Sequence, residues 1–80
     1  MDTVKVRLYA AARSAIGQSE LLVESESLEE ILRIVSVDKP QASQVFAQCS
    51  FLVDGGVVHN RSEVILPGST IDVLPPFAGG

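Results

Sequence analysis

The residues whose types and order point to chemistry stand at the end of the chain, in the six-residue stretch Pro75-Pro76-Phe77-Ala78-Gly79-Gly80. Proline fixes φ, and two in succession favour an extended, polyproline-like path, so this segment is expected to leave the domain as a stiff-based tail. Extended throughout, it would reach roughly 20 Å at about 3.3 Å per residue. Gly79 and Gly80 carry no side chain, so such a terminus can enter a narrow channel and present its carboxylate to the reactive groups of another protein. The plain alternative is a frayed end, because termini tolerate change.

Nothing else in the sequence assembles a reactive constellation. His59 is the single histidine and has no local acidic partner at ligand spacing, so it reads as a surface-loop residue, not a metal ligand. The single cysteine, Cys49, precedes an apolar stretch and reads as a small buried hydrophobe. One cysteine forms neither an internal disulfide nor an iron-sulfur site. No glycine-rich phosphate loop is present.

The remainder must therefore be what positions the tail. Eighty residues, 46% of them hydrophobic and 20% charged, describe one folded domain of small aliphatic residues. No apolar run is long enough to cross a bilayer, and the start, Met1-Asp2-Thr3-Val4-Lys5, lacks the blocks of a signal peptide, so a cytoplasmic protein with no membrane partner is expected. Ten acids against six bases give a net charge of −4, which argues against nucleic acid as a partner. Glu20, Glu24, Glu26, Glu29, Glu30 and Asp38 concentrate that charge in one stretch, a better match to a basic protein surface or simply a solvated face.

Residues 3–9 alternate, with Val4, Val6 and Leu8 on one face and Thr3, Lys5, Arg7 and Tyr9 on the other, which is the pattern of a half-buried strand. Residues 10–17 favour a turn of helix stopping at Gly17. Residues 19–24 read as a second strand with Leu21 and Val23 inward and Leu22 outward. Ser27 and Glu30 have capping-box spacing, so a helix starts there, with Leu28, Ile31, Leu32 and Val35 as its apolar stripe and an end near Val37 or Asp38. A short second helix over 41–48 would carry Val45 and Phe46 inward. Residues 50–54 form a third strand running into Gly55-Gly56, whose glycines suit a tight hairpin, and Val57-Val58 begins the return. Residues 63–66 are a further extended piece, followed by the turn signal Pro67-Gly68. The last strand, 70–74, points Ile71 and Val73 to one face and Leu74 to the other, and stops at the prolines. This order predicts an α+β roll: a mixed sheet with one main helix on one face, and first and last strands side by side in parallel. The domain spans 1–74 and the tail 75–80.

Three stretches together resemble a known family: Val4-Lys5-Val6-Arg7-Leu8-Tyr9-Ala10 followed by Arg13, the hairpin Phe51-Leu52-Val53-Asp54-Gly55, and Leu74-Pro75-Pro76-Phe77-Ala78-Gly79-Gly80. Over its whole length the chain resembles the ubiquitin-like β-grasp sulfur carriers of the MoaD/ThiS family, and within it the small subunits of molybdopterin synthase, for which the proline pair ahead of the diglycine is typical. The resemblance implies that Gly80 is adenylated by an ATP-using, E1-like (MoeB-like) adenylyltransferase. A sulfur donor such as a desulfurase or rhodanese then converts it to a thiocarboxylate, with Gly79 beside it. The tail, Pro75 through Ala78 included, would enter a MoaE-like large subunit and give its sulfur to a pterin for dithiolene formation in molybdenum cofactor biosynthesis. The chain itself would bind no cofactor and be active only in that complex; ATP is consumed by the activating enzyme. The family's partner-facing apolar patch maps to Tyr9, Val57 and Leu74, of which Tyr9 and Leu74 already stand out as apolar residues on outer strand faces. Asp54 departs from the asparagine often found before the hairpin glycine, which keeps turn chemistry and puts an amide-specific contact in question. A carrier for thiamine or cysteine biosynthesis, a ubiquitin-like modifier joined to lysines, and an interaction domain with an inert tail share much of this pattern.

Overall fold

A computed structural model describes residues 2–76. Its elements run β1 Thr3–Leu8, α1 Ala10–Ile16, β2 Glu20–Glu24, α2 Leu28–Val35, α3 Pro40–Phe46, β3 Ser50–Val53, β4 Gly56–Val57 and β5 Thr70–Leu74. The strands form one sheet in the order β2-β1-β5-β3-β4. β1 and β5 are parallel neighbours at its centre, with Val6 opposite Ile71 and Arg7 opposite Asp72, and the other pairings are antiparallel. The mixed α+β roll is as the strand order predicts.

Alternation decides which sheet face is covered. Val4, Val6, Leu8, Phe51, Ile71 and Val73 are buried on one face, where they meet Leu28, Ile31, Leu32 and Val35 of α2 and Phe46 of α3 in a single core. The intervening residues, Lys5, Arg7, Leu52, Asp72 and Leu74 among them, line an open face. Leu22, 68% exposed, lies on that open side of the edge strand β2.

The local signals act much as read, with four differences. Gly17 ends α1 at φ 87°, the left-handed cap that glycine supplies without steric cost. The Ser27 side chain accepts the Glu30 N–H at 3.2 Å, but the reciprocal half of the capping box is not made. Glu30 instead pairs with Arg33 on the next turn, and this hydrogen bond holds its carboxyl below the usual range. α2 ends at Val35, ahead of the expected Val37 or Asp38, because the chain turns through Ser36 and Asp38 adopts φ 61° before Pro40 starts α3. The hairpin turn is Asp54-Gly55, at φ 50° and 87°, and not Gly55-Gly56, which places Gly56 in β4 opposite Val53. Two positive-φ residues between paired strands make a type I′ turn, and aspartate tolerates that region. The Asp54 carboxylate also accepts the Thr70 N–H at 2.9 Å, so the contact needs an acceptor oxygen and no amide.

The fourth difference concerns residues 58–69. Ile65 is fully buried, and its N–H donates to the Glu26 carbonyl while the Leu28 N–H donates to Glu63. Arg61 ties this segment to α3 and β3: its Nη2 donates to the Phe46 carbonyl at 2.9 Å, and its guanidinium lies 5.0 Å from the centre of the Phe51 ring. Cys49 is half-buried, its thiol donating to the Val45 carbonyl. Burial pushes that thiol's pKa up against the opposing charge of Arg61.

Candidate functional site

The open face is organised by the register of β1, β5, β3 and β4. Because Arg7 stands opposite Asp72, Asp72 opposite Leu52, and Leu52 opposite Val57, these four side chains form one row across the sheet. Two residues beyond Arg7 and Asp72, about 7 Å away, come Tyr9, just past the end of β1, and Leu74 of β5. The row and these two residues make a patch with Leu52, Val57, Leu74 and Tyr9 around a charged centre. Val57 is 57% exposed and Tyr9 36%, while Leu52 and Leu74 are half-buried by their neighbours.

Asp72 is that centre. Arg7 Nε donates to its Oδ1 at 2.7 Å and Arg7 Nη2 to its Oδ2 at 3.2 Å, a two-pronged pair, while the Tyr9 hydroxyl donates to Oδ1 at 3.2 Å. The Arg7 hydrogen bond holds the Asp72 carboxyl below its usual range; burial opposes this, and the Arg7 charge and the Tyr9 hydroxyl assist. The same bond raises the Arg7 guanidinium. Tyr9 is thereby fixed over the patch with its charges internally neutralised. Beside it Lys5 Nζ lies 3.9 Å from Glu20, so the basic residues of this face already have acidic neighbours.

A folded-state pKa below the unfolded value means that Asp72 contributes stability that is complete above about pH 5 and lost as pH falls through the folded value. Asp72→Asn is therefore expected to lower the urea midpoint at pH 7, with the gap to the parent chain closing below about pH 4. A gap that persisted unchanged at pH 3 would show that the carboxylate's charge is not what matters.

The three expected patch residues are thus brought to one face, and the structure adds Leu52, Arg7 and Asp72. Leu52 had a signal in the sequence, since Phe51 inward implies Leu52 outward. Alternation turns Arg7 and Asp72 outward as well, but their pairing has no signal of its own, because only the long-range parallel register makes them partners. Where β5 ends, alternation continues: Leu74 faces the open side and Pro75 is buried on the helix side. The proline pair does not leave the body at once. Pro75 and Pro76 form one wall of a cavity of about 400 Å³ whose other walls are α1 and α3. Phe77, Ala78, Gly79 and Gly80 lie outside the described residues. Among the described residues no group of His, Cys, Asp or Glu is placed to hold a metal ion, and His59 is an exposed loop residue. No helix among them is long and apolar enough to cross a membrane.

A five-stranded mixed sheet with its first and last strands parallel at the centre and its helices on one face defines the class: this is a ubiquitin-like β-grasp protein. Solved structures of that class superpose along nearly the whole chain. SAMP1 from Haloferax volcanii is 19% identical with a TM-score of 0.79, over 98% of this chain and 99% of that one. The small archaeal modifier protein SAMP1 from Methanosarcina acetivorans is 26% identical with a TM-score of 0.77, over 100% and 98%. A chain in the complex of subunits 1 and 2 of molybdopterin-converting factor from Helicobacter pylori 26695 is 22% identical with a TM-score of 0.71, over 98% and 99%. The curated proteins contain no match to the sequence. The family model for ThiS matches residues 6–80, and the chain belongs to the ThiS family.

Proposed function

We propose that this chain is the sulfur-carrying small subunit of a molybdopterin synthase, with Gly80 as its reactive terminus. The observation that carries the reading is the family match running through residue 80, so that the diglycine is part of what is matched. A carboxylate is a poor electrophile until its oxygen becomes a good leaving group. On this reading the Gly80 carboxylate attacks the α-phosphorus of ATP in the activating enzyme and displaces pyrophosphate. A donor's terminal persulfide sulfur then attacks the acyl-adenylate carbon and AMP departs, and a second thiol attacks the donor's cysteine sulfur, forming a disulfide with it and freeing Gly80 as the thiocarboxylate. Beyond the Gly80 carboxylate itself, no acid, base or nucleophile of this chain is required. Docking falls to the open face, where Tyr9, Leu52, Val57 and Leu74 supply apolar area beside the point where the tail begins. The large synthase subunit is the proposed receiver of the sulfur, in line with the two-subunit complex of the Helicobacter pylori relative.

A second reading, a modifier whose Gly80 is joined to lysines, is favoured by the 26% identity to the Methanosarcina acetivorans modifier, above the 22% to the molybdopterin-converting factor chain. Intact-mass measurement after incubation with ATP, an E1-like activating enzyme and a sulfur donor tests the carrier chemistry, which predicts replacement of one oxygen by sulfur. No such replacement would remove it. Co-purification then separates the acceptors: a pterin-synthase large subunit supports the first reading, whereas a thiazole synthase or lysine-linked conjugates overturn it.

A further inference from the structure

β2 is an edge of the sheet, and the hydrogen bonds it makes to β1 show which of its backbone groups are left over. The Leu8 N–H donates to the Ser19 carbonyl at 2.9 Å and the Ser25 N–H to the Asp2 carbonyl at 2.8 Å, on the same register that sets Val6 opposite Leu21 and Val4 opposite Val23. In an antiparallel pair every second residue turns its N–H and carbonyl to the neighbour, so Ser19, Leu21, Val23 and Ser25 serve β1. Glu20, Leu22 and Glu24 turn theirs the other way, and no turn or loop among the described residues bonds to them. Three N–H donors and three carbonyl acceptors therefore stand in a row along an open edge, a template that extended backbone matches group for group.

The side chains beside that row select the strand that fits. Glu20, Leu22 and Glu24 are exposed and share the open face, since they lie opposite Arg7, Lys5 and Thr3. On the other face Leu21 and Val23 are half-buried against the core. There α2 packs against β2 and turns Glu29, Leu32 and Arg33 towards α3, so exposed Ile34 is left on its other flank. An added strand would thus meet acid, apolar, acid on one side and apolar surface on the other. A second copy of this chain is a poor match: in the full antiparallel register about Leu22, Glu20 of each copy faces Glu24 of the other, and like charges directly opposite are destabilising. Both carboxylates remain available to a cation. Lys5 Nζ approaches Glu20 only to 3.9 Å, with both side chains largely in solvent, and Glu24 has no ion pair among the described residues.

We propose that the free edge of β2 is a strand-addition site for an extended segment of a partner protein, one that places basic residues opposite Glu20 and Glu24 and apolar residues between them. Main-chain hydrogen bonds to Glu20, Leu22 and Glu24 supply the pairing. The two carboxylates select a cation-bearing strand and, by the same charges, keep copies of this chain from pairing edge to edge. β1 lies between β2 and β5, so the added strand is about 14 Å from β5, three strand spacings away, and leaves Tyr9, Val57 and Leu74 uncovered. The edge partner is therefore additional to whatever covers the open-face patch, and the inference holds whether or not Gly80 carries sulfur.

The test is an amide NMR titration of the full chain with two synthetic peptides, acetyl-Ser-Lys-Val-Leu-Val-Lys-Ser-amide and the same peptide with glutamate in place of both lysines. The lysine peptide is expected to shift the Glu20, Leu22 and Glu24 amides and slow their hydrogen exchange, and the glutamate peptide to bind at least about fivefold more weakly. Leu22→Pro deletes one outward N–H and none that serves β1, so it should keep the sheet and weaken binding of the lysine peptide about tenfold or more. Glu24→Lys retains every backbone group and is expected to remove the preference between the peptides, which decides the matter should the proline variant lose its folded spectrum. Absence of binding, equal binding of both peptides to the parent chain, a preference that survives Glu24→Lys, or parent-like binding by a folded Leu22→Pro would overturn the strand-addition site. Concentration-dependent shifts of the β2 amides in the chain alone would overturn it too, by placing a second copy on the edge.

Discussion

Extending the chain by one residue after Gly80 is expected to reduce thiocarboxylate formation by about 100-fold or more, the scale set by misplacing reacting atoms by an ångström or more. One added residue moves the carboxylate about 3.3 Å along the tail, comparable to the distance at which reacting atoms must meet, and turns Gly80 into an internal amide. Replacing Gly79 or Gly80 with a bulkier residue should act in the same direction by obstructing a channel shaped for bare backbone. The described core is complete by Pro75, so none of these changes touches the packing of α2 and α3 on the sheet. The expected result is a parent-like thermal midpoint together with an intact mass that shows no sulfur incorporated. An extended variant that still acquired sulfur, in cells without a protease able to trim it, would contradict Gly80 as the reactive terminus.

How much of this was legible in the sequence depended on how local each interaction is. β1 and β5 alternate over five or six residues, so Val4, Val6, Ile71 and Val73 declared their faces. The apolar stripe of α2 and the Ser27 cap are likewise contained within one helix. The hairpin register was misplaced by one residue because two adjacent glycines outweigh an aspartate on propensity alone. The deciding contact, Asp54 with the Thr70 N–H, comes from a strand 16 residues away. Ile65 was passed over for the same reason: its segment is held by bonds to Glu26 and Ser25 rather than by any pattern of its own. The patch was half legible, since Tyr9, Val57 and Leu74 came with the family resemblance. The ion pair that orients Tyr9 joins residues 65 apart in sequence and exists only through the parallel register.

Leu74→Asp is expected to weaken association with the activating enzyme or the large synthase subunit about 30-fold or more, the consequence of losing at least about 2 kcal/mol at a central contact. Leu74 stands where the open-face patch meets the tail, in the central strand β5, so a partner that encloses the tail cannot bind without covering it. A carboxylate there would be desolvated without a counter-charge, because Arg7 is already committed to Asp72, and it would add a like charge two residues from Asp72 on the same face. In the free protein the same side chain is half-buried on the open face and lies outside the core, so the fold should survive. Leu22→Asp provides the matched control: it is also on the open face and more exposed, but it lies on the edge strand β2, beyond β1 from the patch. Calorimetric titration should therefore separate the two variants, with Leu22→Asp binding like the parent chain. Equal losses would mean that net charge, already −4, governs association. Parent-like binding by Leu74→Asp would move the interface off the open face altogether.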